Sequence, residues 1–226
     1  MINRQRLTQL LETEETLFKK LHPKSQIASE SSSKTLVGGV PMPWMTRLPG
    51  AFPIHVRQAH GAIFNDVDDI EYIDFCLGDT GSMTGHGVNE ITEAIAAQMK
   101  IGSTTMLPTH DATWVGDELT RRFGLPKWQF AVSATDANRF ALRIARHLTN
   151  RPKVLVHDWC YHGTVDETLV IANESGQTIS RPGAIGPQID PALTTRVVPF
   201  NDLAVLEKQL AHRDVACMLI EPALTN

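Results

Sequence analysis

Ser133-Ala134-Thr135-Asp136-Ala137-Asn138 joins an apolar, strand-like run at 128–133 to an amphipathic helical pattern at 135–148. A strand that turns directly into a helix is the building unit of α/β sheets, and it places the helix start at the sheet edge where ligands bind. The first amides of a helix lack an internal partner and sit at the positive end of its dipole. Small hydroxyl residues at that point cradle an anion such as phosphate. The same six residues also read as an ordinary helix cap, with Ser133 accepting from a free amide and Asp136 complementing the dipole. Both readings stand at the level of these residues alone.

Outward from this junction, strands are expected at 153–157, 196–199 and 215–221, with a helix at 202–211. The unbroken run Val215-Ala216-Cys217-Met218-Leu219-Ile220 suits a parallel strand buried on both faces. Ligands in such sheets lie at the carboxyl ends of strands, which puts Ser133, the Tyr161-His162-Gly163 segment and Glu221 on one rim. Upstream, Ile91, Ile95 and Met99 predict a helix over 88–100, and Val115, Leu119 and Phe123 predict another over 112–123. Short strands at 54–56, 62–64 and 72–75, with a turn at 66–69, predict an antiparallel meander. Leucines near helical spacing predict a helix over 1–21 that ends at Pro23, and the polar stretch 25–34 reads as a flexible connection.

The composition excludes several classes of partner. Of the 226 residues, 42% are hydrophobic and 20% charged, with a formal net charge of −4, so no electrostatic argument favours nucleic acid or an anionic membrane. Arg139, Arg143 and Arg146 share a helix face and read as a solvated stripe. Cys76, Cys160 and Cys217 are far apart and unpaired in any C-x-x-C motif, which points away from disulfides and zinc and toward a reducing cytoplasm. His157, Asp158 and His162 match no metal-ligand spacing, so no metal is expected. Cys160 beside His162 reads as a small buried residue rather than a nucleophile. No signal-peptide core or stretch of about 20 apolar residues is present. The glycine-rich segment 77–87 matches neither a P-loop, a dinucleotide fingerprint nor a G-x-S-x-G elbow. Strand 215–221 and the turn after it have no closing helix, so the sheet is expected to be truncated.

Taken in order, Gly38-Gly39-Val40, the strand pair within 62–75, Gly85-His86-Gly87, the 133–138 junction, Tyr161-His162-Gly163, and Glu221-Pro222 with Asn226 resemble the class III pyridoxal-phosphate aminotransferases. Within that family they are similar to the glutamate-1-semialdehyde 2,1-aminomutase-like branch. The resemblance implies an α/β, fold-type-I architecture with a parallel-rich sheet covered by helices on both faces, incomplete at its C-terminus. Residues 1–78 would contribute a helix and antiparallel strands to the small domain, and 79–226 a truncated cofactor-binding large domain. Pyridoxal 5′-phosphate is the implied cofactor. Ser133, Ala134 and Thr135 would hold its phosphate, and Tyr161 would stack on its ring. His162 and Gly163 would shape the pocket, with Glu221 beside the ring and Asn226 near its oxygen.

The implied partners are a small-molecule amino donor and acceptor and, in the full-length form, a second copy of the chain in a homodimer. The family's Schiff-base lysine and pyridinium-pairing aspartate correspond to positions beyond Asn226. No upstream lysine substitutes, so the resemblance implies a fragment without catalytic residues and without turnover. Ala134 stands where the family has glycine, Asp136 where it has glutamate, and Asn138 where the aminomutases end the motif in threonine. Two other readings remain at this level: an interaction protein that retains the scaffold, and an unrelated α/β domain that binds another phosphorylated ligand.

Overall fold

Strand β4 (Lys153–His157) lies at the centre of a parallel sheet, between β7 (Thr195–Val198) and β8 (Val215–Met218), in the order β7-β4-β8. Successive side chains of a strand face opposite ways, so its apolar run must be covered twice. On one face Val154 and Val156 pack with Leu142, Val165, Val170 and Val197. On the other, Leu155, Val198 and Val215 pack with Val205 and Leu206. Leu142 belongs to helix α5 (Ala134–Thr149), whereas Val205 and Leu206 belong to α6 (Leu203–Leu210), so the two helices cover opposite faces. Each fully buried Val or Leu contributes roughly 1.5–3 kcal/mol through removal from water.

The computed structural model describes residues 3–79, 81–186 and 189–221. They form two units, 1–108 and 109–226. The first contains α1 (Arg4–Leu21), α2 (Pro23–Ser32), a meander of β1 (Val56–His60), β2 (Ile63–Asp66) and β3 (Glu71–Ile73), and α3 (Asn89–Ile101). The second contains α4 (His110–Phe123), α5, α6, the parallel sheet and a hairpin of β5 (Val170–Ala172) and β6 (Thr178–Ser180). The glycine-rich segment stays with the first unit because Gly61 and His86 exchange backbone hydrogen bonds of 2.9 and 2.8 Å. His86 also pairs with Asp74 at 2.7 Å. This contact-defined unit runs on to position 108.

Residues 23–32 are helical, which corrects the expected flexible connection. Proline is tolerated at the first position of a helix, and here the next two amides find acceptors outside it. Lys24 and Ser25 N–H groups donate to the Asp68 carboxylate at 2.7 and 2.9 Å. The cap is thus supplied by the β2–β3 turn, out of reach of any local pattern. The same region buries a polar cluster in which the Tyr72 hydroxyl lies 2.7 Å from His22 Nε2 and 3.1 Å from Asp66 Oδ2.

Residues 128–133 were expected as a strand, but they form no ladder with any described strand. Both sides of β4 are taken by β7 and β8, and Phe130 and Val132 remain exposed. Strand β8 is also shorter than expected, ending at Met218, and the first meander strand begins at Val56 and runs on to His60. Helix α3 forms as its periodicity predicts, yet Ile91, Ile95 and Met99 are exposed within this chain. Arg146 departs from the solvated stripe: it donates to the Pro152 carbonyl at 2.8 Å and pairs with Glu167 at 2.6 Å. Burial opposes the charge on Glu167, but the Arg146 hydrogen bond and its neighbours outweigh it and hold the carboxyl below its usual range.

Arg196 of β7 and Asp214, the residue before β8, form a two-pronged pair across the end of β4, with Arg196 Nε and Nη2 each 2.7 Å from an oxygen of Asp214. Those hydrogen bonds keep the Asp214 carboxyl below its ordinary range, against a smaller opposing effect of burial. A depressed folded pKa means that the contribution to stability is present above the unfolded pKa and lost as pH falls through the folded value. Urea titrations of the wild type and Asp214→Asn should therefore differ by about 1–2 kcal/mol at neutral pH and converge only in strong acid, as pH falls through the depressed folded value. A gap that persisted unchanged in strong acid would show that the pair contributes through packing alone.

Candidate functional site

The start of α5 has the geometry of a capped helix. Ser133 Oγ accepts from the Asp136 amide at 3.1 Å and lies 2.9 Å from Asp136 Oδ2, to which it donates. The Ser133 hydroxyl is therefore committed to the cap. The amides of Ala134 and Thr135, at the first two helical positions, have no acceptor within the helix and remain at the positive end of a 16-residue dipole. Anion binding and capping coexist here: the side chain of Ser133 caps, and the backbone after it offers donors. Ala134 sits inside the helix and is absent from the left-handed residues, so an alanine needs no special backbone at this position.

The loop after β4 is fastened to this helix start by two hydrogen bonds. Thr135 Oγ1 accepts from the Thr164 amide at 3.1 Å, and Asn138 Nδ2 donates to the His162 carbonyl at 3.0 Å. Between them Gly163 has φ of +82°, and a Cβ placed there would clash with Thr135 Oγ1. Only glycine permits both the left-handed backbone and the close approach. The result brings Tyr161, half-exposed, and His162, buried, beside the first turn of α5.

Burial pushes the His162 imidazole below its ordinary pKa, with Glu221 acting in the opposite direction, so the ring is neutral at pH 7. Its Nε2 is buried without a hydrogen-bond partner among the described residues, as is Nδ1 of His157. The Cys160 thiol is pushed up to about 11 by burial, aided by the Glu221 charge. It is a protonated, buried group at neutral pH and no nucleophile. Glu221, just past β8, thus lies within electrostatic reach of both His162 and Cys160.

The structure brings Ser133, Ala134, Thr135, Tyr161 and His162 together at one end of the sheet, with Glu221 near His162. Asn226 lies outside the described residues. Among the described residues, no group of three or more His, Cys, Asp or Glu side chains is placed to hold a metal ion. No described helix is long and apolar enough to cross a membrane. Sequence reasoning overlooked Asn138 as an anchor of the His162 carbonyl, and it overlooked the β5–β6 hairpin. The hairpin had a legible signal, since Val170-Ile171-Ala172 and Thr178-Ile179-Ser180 flank a turn containing Gly176. The Asn138 contact had none, because it joins residues 24 apart in sequence.

These donors and surfaces fit a phosphorylated, planar cofactor: two free amides for the phosphate, a half-exposed aromatic ring, and a buried imidazole nitrogen awaiting a partner. Gly163→Ala should lower stability by at least about 2 kcal/mol, the sum of a left-handed Cβ penalty and overpacking against Thr135. Chemical denaturation measures this, and adding Thr135→Ala should recover only part, because the hydrogen bond to Thr164 goes with the clash.

The class-III aminotransferase family model matches residues 45–226. The glutamate-1-semialdehyde 2,1-aminomutase of Methanocella arvoryzae is 34% identical over 205 residues, which cover 89% of this chain and 47% of that protein. Among solved structures, a glutamate-1-semialdehyde aminomutase from Pseudomonas aeruginosa matches with a TM-score of 0.95 at 47% identity, covering 100% of this chain and 50% of that one. An omega-transaminase from Sphaerobacter thermophilus matches with a TM-score of 0.79 at 27% identity, over 88% of this chain and 47% of its own. The Pseudomonas enzyme has also been solved in complex with PMP, and another similar transaminase with PLP bound. The chain spans about half the length of the relatives it matches. With a fold-type-I architecture and a helix start that faces a Tyr-His-Gly loop, it belongs to the class III aminotransferase family, whose cofactor is pyridoxal phosphate.

Proposed function

We propose that this chain carries the phosphate-holding and ring-stacking part of a pyridoxal-phosphate site, in an aminotransferase or aminomutase that acts on an amino acid, amine or amino-aldehyde. The observation that carries the reading is the double fastening of the Tyr161–Thr164 loop to the first turn of α5, through Thr135 and Asn138. When bound, the cofactor supplies the electron sink for chemistry at an amino-bearing carbon. The chain's own residues bind and orient. The Ala134 and Thr135 amides hold the phosphate, and Thr135 keeps its hydroxyl on the loop. Tyr161 covers one side of the ring. Neutral His162 offers Nε2 as an acceptor or donor, and Glu221 adds negative charge beside it. Asn226 is proposed near the ring oxygen, following the family resemblance.

The lysines of the second unit are Lys127, Lys153 and Lys208. Lys153 Nζ is engaged with the Ala192 carbonyl at 2.8 Å, at the end of β4 away from His157. Lys208 lies on α6, across the sheet from α5, and Lys127 precedes the apolar run. None is placed to act on a ligand at the start of α5. The 226-residue chain alone is therefore expected to hold the cofactor without a covalent link and without turnover. By the family resemblance, the Schiff-base lysine and the ring-nitrogen aspartate correspond to positions downstream of the one matching Asn226. The division into 1–78 as part of a small domain and 79–226 as part of the large one, the homodimer, the small-molecule amino donor and acceptor, and a cytoplasmic setting belong to the same proposal.

Titration of the purified chain with pyridoxal phosphate, followed by absorbance and equilibrium dialysis, tests it. Pyridoxal phosphate and its amine form should bind, and pyridoxal without phosphate should bind about tenfold or more weakly, the loss expected for charge-assisted hydrogen bonds. Borohydride at stoichiometric cofactor should leave the chain unlabelled. Preference for a nucleotide or a sugar phosphate, or lysine-dependent transamination by the chain alone, would overturn the reading.

A further inference from the structure

Arg181 follows β6 at the far end of the hairpin, and nothing in the sequence pattern ties it to the helix start. Its backbone N–H donates to the Leu169 carbonyl at 2.9 Å, which fixes it beside β5. Its guanidinium then reaches the loop after β4 twice. Nη1 donates to the Cys160 carbonyl at 3.1 Å, and the guanidinium carbon lies 5.4 Å from the centroid of the Trp159 ring. Trp159 has φ of +60°, a backbone region that bulky side chains rarely adopt. A non-glycine residue stays there only when its surroundings over-determine it. A cation over the indole face and a hydrogen bond on the following carbonyl are such surroundings.

The carbonyl of Cys160 is the peptide that leads into Tyr161, and the carbonyl of His162 is the peptide that leaves the Tyr161-His162 pair. The first is held by Arg181 from the hairpin, and the second by Asn138 from α5. Two elements thus grip the loop on either side of the aromatic ring. Tyr161 is half-exposed, so packing alone does not fix its direction. We propose that Arg181 is a positioning residue: with Trp159 it sets the backbone before Tyr161 and so aims that ring over the cofactor, while leaving the phosphate donors of α5 untouched. The inference rests on the pyridoxal-phosphate reading above, and it adds a residue outside the motifs that suggested that reading.

The test separates ring from phosphate in the full 226-residue chain, with Arg181→Ala and the milder Arg181→Lys as variants. Affinity for pyridoxal phosphate should fall about tenfold in Arg181→Ala, as expected for loss of a hydrogen bond from a charged donor, and less in Arg181→Lys. Affinity for inorganic phosphate should stay within about twofold, since the α5 amides are unchanged. A second readout needs no cofactor. The chain has two tyrosines, Tyr72 and Tyr161, so fluorotyrosine labelling gives two 19F signals. The Tyr161 signal should shift and sharpen toward a mobile average in Arg181→Ala, with Tyr72 unmoved as the internal control.

Equal losses of pyridoxal phosphate and inorganic phosphate would overturn the proposal in favour of a general structural role. An unmoved Tyr161 signal in both variants would overturn it as well. If the wild type binds no pyridoxal phosphate, the functional reading fails on its own, and the fluorine signal still decides whether Arg181 positions Tyr161. If Arg181→Ala does not fold, the comparison is made with Arg181→Lys, whose Tyr161 signal must move for the proposal to stand.

Discussion

Burial of β4 on both faces is the constraint from which the site follows. Val154 and Val156 turn toward α5, Leu155 turns toward α6, and none of the three is exposed. A strand enclosed in this way presents polar groups only where it ends, and β4 ends at His157. The chain must then turn within a few residues beside the start of α5, which packs on the same sheet face through Leu142. Close approach at this turn is what requires Gly163 and what lets Thr135 and Asn138 reach the loop backbone. The candidate site is thus the place where a buried strand runs out against a helix start.

At the start of α5 itself, fixed dipoles favour an anion. His162 is kept neutral by burial and Cys160 is kept a thiol. The positive contribution comes from the unpaired amides and the helix dipole, which need no side chain to titrate. Arg146, the half-buried arginine of the same helix, is already neutralised by Glu167. A phosphate at Ala134 and Thr135 therefore meets fixed dipoles whose orientation is set by the fold, and the nearest flexible side chains are used to hold the loop.

Periodicity carried most of the helices and the central strands into view, because both depend on which face of an element is apolar. It found α5 from its stripe and β4 from its unbroken Val-Leu-Val core. It failed where the deciding partner was distant in sequence. Residues 23–32 are helical because Asp68, more than 40 positions away, caps Lys24 and Ser25. Residues 128–133 have a strand's composition, yet a strand exists only with a ladder partner, and the described strands provide none. The exposed faces of α3 and α4 show the same asymmetry, since an apolar stripe predicts a helix but not what it packs against.

The sequence by itself determined the alternation of elements, the family membership and the residue types at the candidate site, because helix caps, apolar runs and the Tyr-His-Gly segment are local patterns. Only the tertiary structure decided how those residues are used. Ser133 turned out to spend its hydroxyl on the cap, Thr135 and Asn138 to grip a loop about 24 to 29 positions on, and Arg181 to hold the peptide before Tyr161. The physical reason is that hydrogen-bond partners are chosen by distance in space. A sequence lists which donors and acceptors exist, and packing around β4 decides which of them meet.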